Sequence, residues 1–314
     1  TTHQVIKDRM RLMACVHLAG VSPDTAADDA RAIVQAGTGL DAVLGESDDL
    51  GRTPLHLAAK RSALPLTHAI LSAYKDAREQ MVAARDHLGR TPLHLAKDEH
   101  VCAALLKAGA DPCACDKAGA TPLHTVTDPE VAATLLVAKR KLGAERGADV
   151  NARDHAGQTP VMVHAGRGDA HLNMLTFLAQ PDRAGALLAS EEAGQRVELQ
   201  ATDRFGRTAM HHAAACNNWL GLQLLVKTGL TDVNARDEFG MTPLHVAARG
   251  DHFKAVSYLL QEACDVSLRD KTDAAPVDLA PSDSTRRLLT QAVRTERRGA
   301  RRGSTVGLAP RYAG

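Results

Sequence analysis

Aromatic residues are scarce in this sequence. Phe, Trp and Tyr together make up 3% of the 314 residues, whereas the hydrophobic fraction as a whole is an ordinary 44%. A buried core must therefore be built mainly from Ala, Leu and Val. Side chains of this size allow helices to pack closely, so closely packed helices without large rings in their core are expected.

Long apolar runs are absent as well. No stretch of 18 apolar residues occurs, so no membrane span is predicted, and the first residues lack the apolar segment of a secretory signal. The sequence predicts a soluble protein of the cytoplasm. The alternative locations are the nucleus or, if the chain is a secreted effector, a host cytosol.

Cysteine is sparse and scattered. The six cysteines are spread along a chain that is too long to depend on disulfides, so reduced thiols are expected. Cys113 and Cys115 are separated by one residue, but no second Cys or His pair with zinc spacing accompanies them. No metal and no cofactor is predicted.

A short motif recurs along the chain. Its clearest copy lies at residues 237–248 and contains the pattern Asp-x-x-Gly-x-Thr-Pro-Leu-His. Five further copies have their threonines at positions 53, 91, 121, 159 and 208, and a degenerate seventh copy lies at Ala275. The spacings between these anchors are 38, 30, 38, 49, 34 and 33 residues, which indicates a base period of 33 with insertions. The pattern is that of a repeat protein.

A period near 33 residues that carries Thr-Pro-Leu-His-x-Ala resembles the ankyrin repeat family. The resemblance covers roughly residues 48–293. It implies an all-α solenoid in which each unit is a β-hairpin or turn finger followed by two antiparallel helices, with about six full repeats and two capping units. A repeat scaffold fixes no chemistry by itself, so the motif does not name the partner.

The two ends of the chain depart from the repeat. Residues 1–47 are predicted to form an N-terminal helical cap built from a degenerate repeat, with a separate small domain as the alternative. Residues 294–314 contain six Arg and one Glu and almost nothing to bury, so a disordered basic tail is predicted. The predicted domains are therefore the cap, a repeat domain at 48–293 and the tail.

Several units depart from the regular length. About three residues of the inner helix and turn are missing between His94 and Val101 and between His124 and Val131, so the second and third units are predicted to have shortened helical hairpins. The third and fourth units carry insertions at 139–146 and roughly 180–200. Such insertions mark a binding face or are tolerated surface decoration.

No catalytic signature accompanies the repeats. The sequence lacks a phosphate-binding loop, a zinc-protease motif, a nucleophile elbow and a dinucleotide fingerprint after a predicted strand. The resemblance implies that the histidine at the fourth motif position and the motif threonine hydrogen-bond neighbouring backbone. These histidines are His56, His94, His124, His211 and His245. No catalytic residue is assigned, and the chain is predicted not to be an enzyme.

The variable positions between the motif Asp and Gly are the candidates for recognition. A tight turn places them at exposed finger tips. Phe205 and Phe239 occupy the tips of adjacent units in a chain with few aromatics, as interface anchors do. The predicted protein-binding residues are Arg204, Phe205, Glu238, Phe239, His155 and His87.

Three residues are weaker candidates for modification. Asn151 and Asn234 both lie in Asp-Val-Asn-Ala-Arg-Asp segments that precede a finger. The resemblance implies that their side chains bridge loop backbone, and similar asparagines are targets of β-hydroxylation in animal cells. Ser304 follows Arg301 and Arg302, a pattern typical of a basophilic kinase site.

The predicted function is a non-enzymatic scaffold that acts as a monomer and binds a protein partner through the repeat fingers and a concave groove. Two alternatives stay open. One is the targeting domain of a larger effector or enzyme. The other is binding of nucleic acid or an anionic surface through the Arg-rich tail.

Overall fold

The computed structural model describes residues 47–73, 77–138, 147–179, 196–262 and 264–301. Within these ranges the regular structure is helical throughout, in agreement with the predicted all-α repeat fold. The predicted cap at 1–47, apart from its last residue, lies outside the described ranges. So do the insertion at 139–146, most of the insertion at 180–200, and Ser304.

The chain divides into two compact units. Unit 1 comprises residues 1–156 and 181–196, and unit 2 comprises residues 157–180 and 197–314. In the described part of unit 1 the helices are α1 (Pro54–Lys60), α2 (Leu64–Ala73), α3 (Arg78–Ala83), a 3-10 helix (Pro92–Leu95), α4 (Glu99–Lys107), α5 (Pro122–Thr125) and α6 (Pro129–Leu136). In the described part of unit 2 they are α7 (Pro160–Ala165), a 3-10 helix (Gly168–His171), α8 (Leu172–Ala179), α9 (Ala209–Ala215), α10 (Trp219–Lys227), α11 (Pro243–Arg249), α12 (Phe253–Leu259), α13 (Pro276–Leu279) and α14 (Asp283–Arg301).

The Thr-Pro pair of the motif starts the inner helix of a repeat. In the sixth repeat Thr242 has extended backbone angles (φ −93°, ψ 167°) and Pro243 is the first helical residue. Proline suits this position because its φ already matches the helix and its missing N–H would have had no partner there. The helix α11 packs against α9 and α13 and buries Ala247 and Ala248 completely. Small side chains therefore form this part of the core, as the composition predicts.

The motif histidine completes this helix start. His245 Nδ1 lies 3.2 Å from the Thr242 backbone nitrogen and 2.9 Å from Thr242 Oγ1, while Nε2 lies 3.2 Å from the carbonyl oxygen of Ala274 in the next finger. A carbonyl oxygen can only accept, so Nε2 carries the proton and Nδ1 accepts. The neutral ring therefore caps its own helix and ties it to the following repeat.

The same arrangement recurs in other repeats. The Nε2 atoms of His56, His94 and His211 lie 2.8, 3.0 and 3.0 Å from the carbonyl oxygens of Arg90, Ala120 and Met241. Burial lowers the pKa of these histidines and of His245, because the charged imidazolium would lose its hydration. The structural role implied for the motif histidines is therefore confirmed at these positions.

The fourth repeat lacks the motif histidine. Met162 stands in its place, and Thr159 Oγ1 is buried without a hydrogen-bond partner among the described residues. His164, two residues further on, is buried, and its Nδ1 lies 2.8 Å from Nδ1 of His171 with the two rings stacked at 5.1 Å. A histidine pair thus joins α7 to the following 3-10 helix in this repeat.

The fingers are turns. Asp237 opens the sixth finger, and its Oδ1 accepts the backbone N–H groups of Phe239 and Met241, both at 2.9 Å. Gly240 has a φ of +74°, and a Cβ there would lie 3.1 Å from the backbone nitrogen of Lys271, so this position requires glycine. The sequence predicts that each finger is either a β-hairpin or a turn. Since no strand occurs in the described residues, the fingers described here are turns.

The second and third repeats have short inner elements, as predicted. The 3-10 helix Pro92–Leu95 and α5 are each four residues long, against seven in α11. The chain becomes extended after each of them, and Asp98 and Asp128 then cap the outer helices α4 and α6 by accepting backbone N–H groups at 2.9 to 3.1 Å. These two repeats bury three inner-helix residues each, against six in α11.

The last helix is longer than the sequence predicts. α14 continues to Arg301, so the prediction of disorder from residue 294 is wrong for its first eight residues. Leu289 is buried on one side of the helix. Further along, partial burial and the nearby charge of Asp265 raise the pKa of the Glu296 carboxyl group, so Glu296 lies close to the loop that precedes the last finger. Arg, Glu and Ala, which are good helix formers, favour the extension of the helix into this part of the sequence.

We expect the second and third repeats to be the weak joint of unit 1. Because they bury less apolar surface, their amide hydrogens at 91–150 should exchange faster than those at 208–262 under native conditions. Hydrogen exchange measured by mass spectrometry on one sample compares the two stretches directly. Equal protection of both stretches would contradict the expectation.

Stability should decrease as the pH falls below about 6.5, the ordinary pKa of histidine. The folded-state pKa is lowered at His56, His94, His211 and His245. The unfolded chain therefore binds more protons in this range, so their stabilisation is complete above the unfolded pKa and is lost below it. Each histidine contributes at most about 1.4 kcal/mol per pH unit. Urea unfolding at about pH 7.5 and about pH 5.5 measures the effect.

Two variants test whether the motif histidines cause this dependence. His245→Gln removes one of the buried titrating groups and should make the midpoint less sensitive to pH. The His100 side chain is 69% exposed, so His100→Gln should leave the sensitivity unchanged. A wild-type midpoint that is constant or rises on acidification would contradict the assigned tautomers.

Candidate functional site

The tips of the fifth and sixth fingers, both in unit 2, carry two phenylalanines. Phe205 is 48% exposed and Phe239 is 49% exposed. The tips are joined through the backbone, because the Glu238 N–H donates to the Phe205 carbonyl oxygen at 2.9 Å. Arg204 and Glu238 are exposed beside the rings. The structure thus brings together four of the six predicted binding residues, which we call the unit 2 finger tips (Arg204, Phe205, Glu238 and Phe239).

Phe205 is positioned by its own finger. Asp203 Oδ1 accepts the backbone N–H groups of Phe205 and Arg207 at 2.8 and 2.9 Å, which fixes the turn. The guanidinium carbon of Arg207 lies 5.4 Å from the centroid of the Phe205 ring, within the range of a cation–π interaction. The ring is therefore partly oriented in the free protein, which reduces the entropy lost on binding.

Arg207 also links the two fingers. Its Nε lies 3.6 Å from Asp237 Oδ2, which is too far for a hydrogen bond, and both atoms are buried. Their attraction is therefore ionic. Asp203 Oδ2, in the same finger as Arg207, lies instead 3.0 Å from His212 Nε2. A charge pair thus crosses between the two fingers that carry the phenylalanines.

The equivalent arginines of unit 1 stay within their own fingers. Arg52 Nε lies 2.7 Å from Asp48 Oδ2, and Arg90 Nε lies 2.8 Å from Asp86 Oδ2. Burial raises the pKa of both carboxyl groups, but hydrogen bonds from the arginine side chains and the backbone outweigh it, and the pKa of each is lowered. These pairs stabilise single fingers, whereas Arg207 connects two.

Two sequence differences explain the exchange of partners in unit 2. The His212 ring is hydrogen-bonded to the carboxylate of Asp203, which would otherwise pair with Arg207. Met241 stands where the sixth finger would carry its own arginine, so Asp237 Oδ2 has no arginine from its own finger. The sequence pattern of one finger alone does not reveal this arrangement, since it depends on residues from the inner helix and the next repeat.

His87 and His155, the other two predicted binding residues, are finger-tip residues of unit 1. Both are exposed, and their backbone N–H groups donate to the carbonyl oxygens of Leu50 and Ala118 at 2.9 and 2.8 Å. The His87 ring lies against Gly51, where any Cβ would overlap it. These histidines belong to a different compact unit from the four residues of the unit 2 finger tips.

Unit 1 has exposed apolar tips that the sequence prediction did not include. Leu50 is 49% exposed and Leu88 is 56% exposed, and they occupy the same tip position as Phe205 and Phe239. Their tips are joined in the same way, by the bond from His87 to Leu50. Position in the motif could have identified them. The sequence prediction sought apolar anchors among the aromatic residues alone.

Three further kinds of feature were considered in the described residues, namely reactive thiols, metal sites and membrane-spanning helices. Their cysteines are free, and burial raises the pKa of Cys102 and Cys264 to about 12, so these two thiols stay protonated at neutral pH. Among these residues no group of three or more His, Cys, Asp or Glu converges as metal ligands would. The helices of this part of the chain include none with the length and apolar content to span a bilayer.

Asn151 and Asn234 bridge consecutive loops. Asn234 Oδ1 accepts the backbone N–H of Asp265 at 2.9 Å, and Asn151 Nδ2 donates to the carbonyl oxygen of Arg196 at 2.7 Å. Each side chain thus ties the loop before its finger to a loop 31 or 45 residues later. The bridging role implied by the resemblance is present, and hydroxylation of these residues stays a prediction.

Replacing Asn234 by Ala should lower the unfolding midpoint. The substitution leaves the part-buried Asp265 N–H without its acceptor, which costs about 1 to 3 kcal/mol. Asn173→Ala, at an exposed position of α8, is the control and should have little effect. An Asn234→Ala midpoint as high as that of the control would show that the bridge does not stabilise the fold.

Comparison with known proteins agrees with the repeat structure. The family model described as "Ankyrin repeats (3 copies)" matches residues 26–116 and 185–270, together more than half of the chain. Among solved structures, the ankyrin repeat domain of Bcl-3, described as a unique member of the IkappaB protein family, is 27% identical with a TM-score of 0.56; the match covers 76% of this chain and 99% of that one. No curated protein matches the sequence. Motif, helical repeats and family match together show that the chain belongs to the ankyrin repeat family.

Proposed function

We propose that this ankyrin repeat protein is a non-enzymatic scaffold whose protein partner docks on the unit 2 finger tips. The observation that carries the proposal is the pair of half-exposed rings, Phe205 and Phe239, on consecutive tips of a chain that has four phenylalanines in all. Aromatic residues are enriched among the anchors that dominate binding energy. An ankyrin repeat domain is a protein-interaction module, and these tips are the surface of unit 2 best suited to that role.

The rings offer a useful amount of binding energy. Full burial of a phenylalanine contributes about 1.5 to 3 kcal/mol, so the exposed half of each ring contributes about half of that amount. Both rings together then contribute about 1.5 to 3 kcal/mol, which corresponds to about a ten- to hundredfold change in affinity. The backbone bond between the tips and the Arg207 contact limit the entropy cost of ordering them.

The charges beside the rings favour selection among partners. Arg204 and Glu238 are exposed and of opposite sign on neighbouring tips. Exposed charges at the edge of an interface affect association rate and choice of partner more than affinity. A partner with a carboxylate near Arg204 and a basic group near Glu238 would therefore be preferred.

Other parts of the predicted function stay predictions. They are the concave groove as a second contact surface, the monomeric state, the cytoplasmic location and the targeting-domain alternative. The likeness to the ankyrin repeat domain of Bcl-3 supports the fold on which the proposal rests, and the partner has to be identified from the residues of this chain.

The double substitution Phe205→Ala/Phe239→Ala should weaken partner binding about ten- to hundredfold, because it removes both rings from the contact. Affinity purification with the wild-type and substituted chains, followed by quantitative mass spectrometry, identifies proteins that depend on the rings. Titration of the purified partner against each chain then gives the change in Kd.

Phe253→Ala is the matched control. Phe253 is 48% exposed, as Phe205 is, but it is the first residue of α12 and lies in no finger. We expect this variant to bind as the wild type does. If the double variant keeps its affinity but has a lowered unfolding midpoint, the rings serve folding and the proposed docking surface is wrong.

A further inference from the structure

α14 concentrates the positive charge of the chain. Asp283–Arg301 contains six arginines, no lysine and two acidic residues, a net charge of +4, whereas the whole chain carries +1. The choice of arginine matters because its planar guanidinium matches phosphate oxygens in two parallel hydrogen bonds, which a lysine ammonium cannot do.

The described arginines of α14 lie on its exposed side. Arg287, Gln291 and Arg294 are at positions i, i+4 and i+7, which places them on one side of the helix, and all three are exposed. Arg286 is exposed beside them. We call these four residues the arginine face. Leu289 is buried on another side of α14, which packs against α12 and α13.

Two of the three arginines of the arginine face are not paired with a carboxylate of the described residues. Arg286 Nη1 lies 3.4 Å from Asp283 Oδ1, and its Nη2 donates to the carbonyl oxygen of Ala280 at 2.8 Å, so this side chain is held in place. Arg287 and Arg294 form no ion pair with any described residue. A cavity of about 380 Å³ is lined by the four residues of this face together with Asp283 and Thr290.

We propose that the arginine face binds the sugar–phosphate backbone of a nucleic-acid duplex. Arg287 and Arg294 are separated by about 10 Å along the helix axis. A duplex presents a negative charge about every 1.7 Å along its axis, so both arginines meet phosphates without any special spacing. An acidic peptide would have to place its carboxylates at matching intervals. Contacts to phosphates fix position without reading bases, so no sequence preference follows.

Two other anionic partners fit this helix less well. α14 contains no aromatic residue, so it offers no ring on which the bases of a single strand could stack. Its apolar side is packed against α12 and α13, so the helix has no apolar face to bury in a lipid bilayer. These features favour a duplex over a single strand or a membrane surface.

Fluorescence anisotropy with the full chain and a labelled DNA duplex tests the proposal. A duplex of about 20 base pairs is longer than the roughly 28 Å of α14. We expect binding at low salt and a linear fall of log K with log salt concentration. Arg287→Glu/Arg294→Glu should weaken binding at least tenfold at low salt and make the slope less steep by about 1.8, since each phosphate contact contributes about 0.9.

Lys107→Glu/Lys227→Glu is the matched control, because it changes the net charge equally at exposed lysines that end α4 and α10. Its affinity should stay within about twofold of the wild type. Arg287→Gln/Arg294→Gln should give a smaller loss than the Glu pair, and circular dichroism should show an unchanged helix content in all variants. If the Glu pair loses helix content, the Gln pair alone decides, and wild-type binding by that variant overturns the proposal.

Competition identifies the class of anion. The unlabelled duplex should displace the labelled one better than a single strand of equal length, phosphatidylserine vesicles or polyglutamate. The proposal is overturned if the duplex does not bind at low salt, if the control variant loses as much affinity as the arginine variant, or if vesicles or polyglutamate compete better than the duplex. The finger-tip phenylalanines play no part in this test, so its result does not depend on the proposed docking site.

Discussion

The bond from the motif histidine to a carbonyl oxygen of the next finger is the contact on which the geometry of the repeats depends. One neutral ring accepts from the threonine that starts its own helix and donates to the following finger, as His245 does between Thr242 and Ala274. The helix start and the next finger therefore cannot shift independently. An imidazolium could not accept at Nδ1, so the contact requires a histidine that stays neutral.

This constraint decides which positions can carry function. In each of the most regular fingers the Asp holds two backbone N–H groups and the Gly adopts a positive φ, as Asp237 and Gly240 show. The residues between them take part in the finger through their backbone groups, as the Phe239 and Glu238 N–H groups do. Their side chains are free to vary while the backbone holds their positions. Exposed Leu50 and Leu88 in unit 1 and exposed Phe205 and Phe239 in unit 2 are therefore alternatives at one fixed kind of position.

The sequence predicted the features that arise within one repeat or between identical positions of neighbouring repeats. The Thr-Pro helix starts, the histidine contacts, the short inner elements and the Asn234 bridge are of this kind, because the motif repeats both partners of each contact. The exchange of partners at Arg207 could not be predicted in this way. It needs His212 on Asp203 and Met241 in the next finger at once, and neither residue is part of the motif.

The length of α14 could not be predicted from the sequence for a related reason. Composition and apolar periodicity end near Val293, and a charged stretch without apolar residues is typical of a disordered tail. The helix continues past Val293, and Glu296 then lies close to Asp265 and Val266 in the loop before the last finger. A single long-range contact of this kind leaves no periodic signal in the sequence, so it becomes visible in the three-dimensional structure alone.

The charge of the chain has to be considered locally. The net charge of the chain is +1 and that of α14 is +4, so the rest of the chain carries −3. Charges in solvent, however, are screened beyond about 8 to 10 Å at physiological salt. The arginine face therefore acts on an anion as a basic surface, whatever the total charge. At the unit 2 finger tips Arg204 and Glu238 carry opposite charges, so the partner proposed there would be attracted by apolar surface and selected by the arrangement of charges. Because binding at the first proposed site would depend on attraction between charges and binding at the second on contact burial, salt should weaken the first strongly and leave the second largely unchanged.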